Sequence, residues 1–151
     1  MSKSKIYDLI GTVFGLGYLP LFPGTWGSFG GLAVCLLLHN NPKLYLAAFI
    51  LFFIIGLIAS ANIEKRTGQK DPSYVVIDEF ACIFLVYLAV PLSTAVIITG
   101  FILYRFMDIV KIPPIRALET LEGGWGIMLD DAMAAVYANL ILQILIAINL
   151  F

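Results

Sequence analysis

Residues 80–104 run for 25 positions without a charge, bounded by Asp78-Glu79 on one side and Arg105 on the other. Two further stretches, 44–61 and 132–151, hold 18 and 20 uncharged residues. A helix needs roughly 17–25 such residues to cross a bilayer. Hydrophobic residues make up 61% of the 151-residue chain and charged residues 13%. Soluble domains average about 45–50% and ~25%. A chain this small cannot hide that much apolar surface from water, so lipid is its expected solvent. The net charge of −1 gives no electrostatic basis for nucleic-acid binding. The expected fold is all-α: an integral-membrane bundle of about five to six helices, some of them short hairpin arms, in a single domain over residues 1–151.

Residues 9–42 are uncharged as well, but Gly15, Gly17, Pro20, Pro23, Gly24, Gly27, Gly30 and Gly31 interrupt them. That density of helix breakers predicts a short N-terminal helix, a loop from about Gly15 to Gly27, and a short helix to about Leu38. His39-Asn40-Asn41-Pro42 reads as a turn. Lys3 and Lys5 make the start weakly basic, and no small-residue cleavage pattern follows, so no leader is expected.

The run 80–104 has two readings. Pro91-Leu92-Ser93-Thr94 lies near its middle; Pro removes a helical donor, and Ser or Thr after it can cap a new helix. As one straight span, the run would hold Asp78 and Asp108 roughly 45 Å apart. As a hairpin turning at Pro91, it would bring them to one end. Each arm would then have about 13–17 residues, too short for the ~30 Å hydrocarbon core. The distribution of charge favours the hairpin. Traced that way, all ten Asp and Glu and eight of the nine Lys and Arg fall on one side, with only Lys43 opposite. The positive-inside rule makes that side cytoplasmic.

Four constellations stand on that side. Pro23-Gly24-Thr25-Trp26-Gly27-Ser28 opens a helix, where glycines and a helix N-terminus suit an anion and where Thr25 and Ser28 add hydroxyls. The bland alternative is a loop with Ser28 as N-cap. Asp78-Glu79 precedes the long apolar run; two adjacent carboxylates at a membrane boundary are costly to dehydrate unless a cation offsets them. Arg105 and Asp108 share a helix face at i, i+3, with Lys111 one turn on. Gly123-Gly124-Trp125-Gly126 delivers Asp130 and Asp131 to the start of the last apolar helix, where Asp130 could alternatively serve as a cap. His39 lies in the opposite turn and takes no part. The cysteines, Cys35 and Cys82, are far apart in apolar runs. They read as packing residues, and with a single histidine they exclude a Cys/His zinc site. Oxygen ligands alone suit magnesium or manganese, and Arg and Lys beside such a cation fit phosphoryl transfer.

These four motifs in order resemble the phosphatidylglycerophosphatase A family: Pro23-Gly24-Thr25-x-Gly27-Ser28, Asp78-Glu79-Phe80, Arg105-x-x-Asp108-x-x-Lys111, and Gly123-Gly124-x-Gly126-Ile127-Met128-x-Asp130-Asp131. The resemblance runs from about residue 14 to 135. Two departures, Ile112-Pro113-Pro114-Ile115 for the usual Lys-Pro-x-Pro-Ile and Cys82 at a usual Gly, remove no charged group. The resemblance implies Mg²⁺-dependent hydrolysis of phosphatidylglycerophosphate to phosphatidylglycerol and phosphate, by a multi-pass protein of the bacterial cytoplasmic membrane with its site facing the cytoplasm. On this reading Asp78, Glu79, Asp108, Asp130 and Asp131 are catalytic. Glu79, Asp108, Asp130 and Asp131 form the main magnesium cluster, with Asp78 at its edge. Arg105 and Lys111 hold the phosphomonoester, and Thr25 and Ser28 position its oxygens. Attack by water and attack by an Asp through an acyl phosphate both remain open. The rivals are a phosphatase for another lipid phosphate and a non-enzymatic transporter subunit or scaffold.

Overall fold

The computed structural model describes residues 3–150. Met1, Ser2 and Phe151, which the single-domain expectation includes, lie outside the described residues. Those residues form seven α-helices, one 3₁₀ turn at Leu16–Tyr18 and no strand. The helices are α1 (Lys3–Gly11), α2 (Pro23–Leu38), α3 (Pro42–Thr67), α4 (Ile77–Val86), α5 (Thr94–Val110), α6 (Ile115–Leu118) and α7 (Gly124–Ala147). The expected five to six becomes seven because the loop after α5 folds one extra short turn, α6.

Two helices, α3 and α7, are long and apolar enough to cross a membrane. Asn41 caps α3, its side-chain oxygen accepting from the Leu44 N–H at 3.2 Å, and Pro42 sits at the first helical position. Gly68, at φ 69°, closes α3 in the left-handed region.

The long apolar run is a hairpin. Its first arm, α4, has 10 residues, and its second, α5, has 17. The turn is wider than a break at Pro91 alone: residues 87–93 connect the arms, and Ser93 caps α5 by accepting from the Val96 N–H at 3.2 Å. His39 and Pro91 line one cavity at one end of the bundle. Asp78 and Asp108 line another, formed where α4 begins and α5 ends.

α4 spans only about 15 Å, and it is apolar almost all round, with eight of its ten residues buried. It is enclosed by α2, α3 and α7 rather than by lipid. Ending a helix inside such a bundle orphans carbonyls that water cannot reach. Three bonds serve the last carbonyls of α4 and of the turn after it. Tyr45 Oη donates to the Phe84 carbonyl at 2.6 Å, and Asn139 Nδ2 donates to the carbonyls of Val86 and Leu88 at 2.9 and 3.0 Å.

Two expected boundaries are corrected. α2 begins at Pro23, so Thr25 and Ser28 lie inside a helix rather than in a loop or at a cap. Ser28 Oγ donates to the Gly24 carbonyl at 2.9 Å. The glycines that suggested a loop form the face of α2 that meets α4. A Cβ at Gly27 would stand 2.7 Å from the Val76 carbonyl oxygen, and one at Gly31 would strike the Phe80 carbonyl. The helix-propensity cost of glycine is outweighed by this close approach. Likewise α7 begins at Gly124, not Asp130, which carries Asp130 and Asp131 about two turns into the helix and excludes a capping role for Asp130. Both cysteines are free and buried, in keeping with packing roles.

Asn139→Leu removes the donor shared by the carbonyls of Val86, a buried residue, and Leu88, an exposed one. It is expected to destabilise the protein in detergent by about 1–3 kcal/mol, read as a lowered unfolding midpoint; an unchanged midpoint would mean that these carbonyls find other partners.

Candidate active site

Asp78 and Glu79 occupy the first turn of α4, Arg105 and Asp108 the last two turns of α5, and Lys111 its C-cap. With Asp130 and Asp131 from α7, they line one cavity of about 370 Å³. The hairpin therefore brings together seven of the nine residues expected at the site. Thr25 is not part of the lining. Ser28 is not either, but its Oγ lies 3.4 Å from Arg105 Nη1, which donates to it. The start of α2 reaches the cavity through Phe22, Pro23 and Gly24 instead.

The carboxylates divide into two kinds. Asp108 pairs with Arg105 at 3.0 Å, and Asp130 pairs with Lys111 at 2.8 Å. Arg105 also stands 3.7 Å from Glu79, and Lys111 stands 3.2 Å from Glu119. Asp78, Glu79 and Asp131 instead face one another, each offering an oxygen within 4.8 Å of the other two. Asp78 thus sits within the tightest carboxylate group rather than at its edge, because α4 starts deep in the bundle. Asp78, Asp130 and Asp131 are at most 5% exposed.

Two ionised carboxylates 4 Å apart repel by about 4 kcal/mol at an effective dielectric of 20. Three meeting in a buried site need compensation. Asp131 receives one hydrogen bond, from Tyr104 Oη at 2.9 Å. Asp78 Oδ1, Glu79 Oε2 and Asp130 Oδ1 are buried with no hydrogen-bond partner. An all-oxygen donor set with orphaned oxygens is what a hard divalent cation takes. Asp78, Glu79 and Asp131 could hold such a cation, with Asp130 beside them.

At the rim, Lys111 keeps its proton firmly. Burial alone would lower its pKa, but the hydrogen bonds from its ammonium to Asp130 and Glu119 raise it above the ordinary value. Gly24 matters at the opposite wall: a Cβ there would collide with Glu79 Oε1 and lie 3.0 Å from Arg105 Nη2. The glycine of the Pro23-Gly24-Thr25 motif is therefore a spacing device as well as part of the helix N-terminus.

Two site residues escaped the sequence reading. Asp71 lines the cavity from the loop before α4, with its backbone in the left-handed region at φ 48°. Although the residue is exposed, its carboxyl is crowded by the cavity wall. That crowding first, and then the negative charges of Asp108, Glu119 and Glu64, raise its pKa against the pull of Lys111. In sequence, Asp71 before Pro72 is an ordinary turn signal. Tyr104 lay hidden inside the apolar run; its only cue is the i, i+4 spacing to Asp108 on α5.

The family model for phosphatidylglycerophosphatase A matches residues 9–146. Phosphatidylglycerophosphatase A of Haemophilus influenzae is 41% identical over 137 residues, which cover 88% of this chain and 84% of the relative. The enzyme of the same name from Escherichia coli is 32% identical over 139 residues, covering 90% and 81%. A Bacteroides thetaiotaomicron protein named as a candidate phosphatidylinositol-3-phosphatase is 37% identical over 145 residues, covering 90% and 91%. No solved structure matches the chain. The family match takes in the start of α2 and all the cavity carboxylates of α4, α5 and α7, and on that extent the chain belongs to the phosphatidylglycerophosphatase A family.

Proposed function

We propose that this chain hydrolyses the terminal phosphomonoester of phosphatidylglycerophosphate, releasing phosphatidylglycerol and inorganic phosphate, and that it does so with Mg²⁺ held by Asp78, Glu79 and Asp131. The observation that carries this reading is the convergence of orphaned carboxylate oxygens and two cationic side chains in one cavity. The family match and the names of the Haemophilus influenzae and Escherichia coli relatives support the choice of substrate.

When bound, the cation supplies charge neutralisation for the transferring phosphoryl group. The chain's own residues do the rest. Arg105 and Lys111 attract the phosphomonoester and balance the charge that develops on its oxygens. The start of α2, reaching the cavity at Pro23 and Gly24, adds the partial positive charge of a helix N-terminus. A carboxylate of the cavity accepts the proton of the attacking water, the phosphorus–oxygen bond to the glycerol breaks, and the glycerol oxygen leaves as a hydroxyl after taking up a proton. Asp108 keeps Arg105 aimed into the site, and Tyr104 fixes the orientation of Asp131.

In this reading α3 and α7 cross the bacterial inner membrane, and the acidic end of the bundle faces the cytoplasm. The Bacteroides relative's name carries a different head group, so a panel of lipid phosphomonoesters is the appropriate substrate test. Purified protein in detergent is expected to release phosphate from phosphatidylglycerophosphate faster than from phosphatidate or phosphatidylinositol 3-phosphate; equal or inverted rates would reassign the substrate. Removing divalent cations with a chelator is expected to abolish release and re-adding Mg²⁺ to restore it. Full activity in chelator would remove the cation from the account.

Two substitutions probe the geometry. Asp131→Asn is expected to lower kcat by more than about 100-fold, since even outer-shell changes at metal sites cost ~10–100-fold. Gly24→Ala is expected to leave the protein folded while lowering kcat/KM about tenfold or more, because Glu79 must shift to make room. Wild-type kinetics for Gly24→Ala would show that Glu79 has freedom the packing does not suggest.

A further inference from the structure

The cavity lining mixes polar residues, Asp71, Ser73 and Lys111, with large apolar ones. Phe22, at the start of α2, and Ile109, near the end of α5, both line it and are 75% and 71% exposed. Next to Phe22, Leu21 is 80% exposed. Leu21 and Phe22 both hold the left-handed backbone conformation, at φ 58° and 57°. Neither residue favours that region, and such strain is retained where the surroundings or a function require it.

Behind this lip lies a gap in the packing. α2 lies along α4 and α5 along α7, while α2 and α5 scarcely meet. The Phe29 and Phe101 rings close the gap deeper in, stacked with centroids 4.4 Å apart. Trp26 on α2 lies beside Phe29, ring centroids 6.2 Å apart, and is exposed, as are Ile102 and Phe106 on α5. Trp26 has its one polar group satisfied, its indole N–H donating to the Pro20 carbonyl at 3.2 Å. An exposed tryptophan of this kind suits the level where lipid meets head groups.

We propose that the α2–α5 gap, with Phe22 and Ile109 as its lip, is the seat of an acyl chain of the lipid phosphomonoester, and the lateral door by which that substrate enters from the bilayer. The proposal rests on the lipid-phosphatase reading and specifies which face of the site takes the hydrophobic part. The occupant follows from continuity: the apolar lip opens directly into the cavity that holds Arg105 and Lys111. A molecule filling both must carry an anionic head and an apolar tail joined over a short distance.

The test places p-benzoylphenylalanine at Ile109, and in a second variant at Phe22, in the full chain reconstituted into phosphatidylcholine nanodiscs. The probe is the acyl-labelled, non-hydrolysable phosphonate analogue of phosphatidylglycerophosphate. Expected is photolabelling at both positions that saturates and is displaced by excess unlabelled analogue but not by phosphatidylcholine, with no such preference from Leu140 on the exposed face of α7. Labelling at 22 and 109 that matches Leu140, or crosslinks between two protein chains in its place, would overturn the proposal. A kinetic arm needs no photoprobe: Ile109→Ser is expected to lower the ratio of kcat/KM for dioleoyl over dihexanoyl substrate about tenfold, and an unchanged ratio counts against the door. The two readings fail separately. Phosphate release without selective labelling retains the phosphatase and removes the door; selective labelling by the analogue without release from the natural lipid does the reverse.

Discussion

A ten-residue apolar helix cannot cross a bilayer, and α4 exists only because α2, α3 and α7 surround it. The rest of the structure follows from that enclosure. The far end of α4 stops short inside the bundle, so Tyr45 and Asn139 must take up its last carbonyls. The near end places Asp78 and Glu79 where neither lipid nor bulk water reaches them freely. α2 must come close enough to seal α4 on one side, which is why its inner face carries Gly24, Gly27 and Gly31. A side chain at any of the three would strike α4's backbone, the backbone just before it, or the Glu79 carboxylate itself.

The enclosure also sets the charge problem that the site solves. Six carboxylates, five from three helices and Asp71 from the loop before α4, line the cavity with Arg105 and Lys111, an excess of four negative charges if all are ionised. Both cationic side chains are already engaged, one with Asp108 and Glu79 and the other with Asp130 and Glu119. The remaining group, Asp78, Glu79 and Asp131, has orphaned oxygens and mutual repulsion, and its one cationic contact is the 3.7 Å approach of Arg105 to Glu79. In an apolar bundle that arrangement is too costly to serve stability alone. It is the arrangement expected when a divalent cation offsets part of the negative charge.

Much of this was legible in the sequence, and the reasons are specific. The hairpin could be read because Pro91 and Ser93 mark a break, and because one topology gathers nearly all charges at one end. The site carboxylates could be read because Asp78, Glu79, Asp108, Asp130 and Asp131 stand at the edges of apolar runs, where a charge needs a reason. What failed was local. Glycine density suggested a loop at α2, since propensity counts the entropy of glycine but not the helix it packs against. Asp130 looked like the start of α7 because charge marks a boundary by composition, whereas Gly124, two turns earlier, marks it by packing against the Leu57 carbonyl. Asp71 was invisible because a turn aspartate before proline looks the same with or without a cavity beside it.

The most direct measurement of the central claim is a manganese titration followed by electron paramagnetic resonance, with Mn²⁺ as the probe, on the purified protein and on Asp78→Asn and Asp131→Asn. The account predicts a bound Mn²⁺ that is displaced by Mg²⁺ and is weakened by each substitution, although one lies on α4 and the other on α7. Binding that survives both substitutions unchanged would contradict it, because the carboxylates of the two helices would then not share a cation.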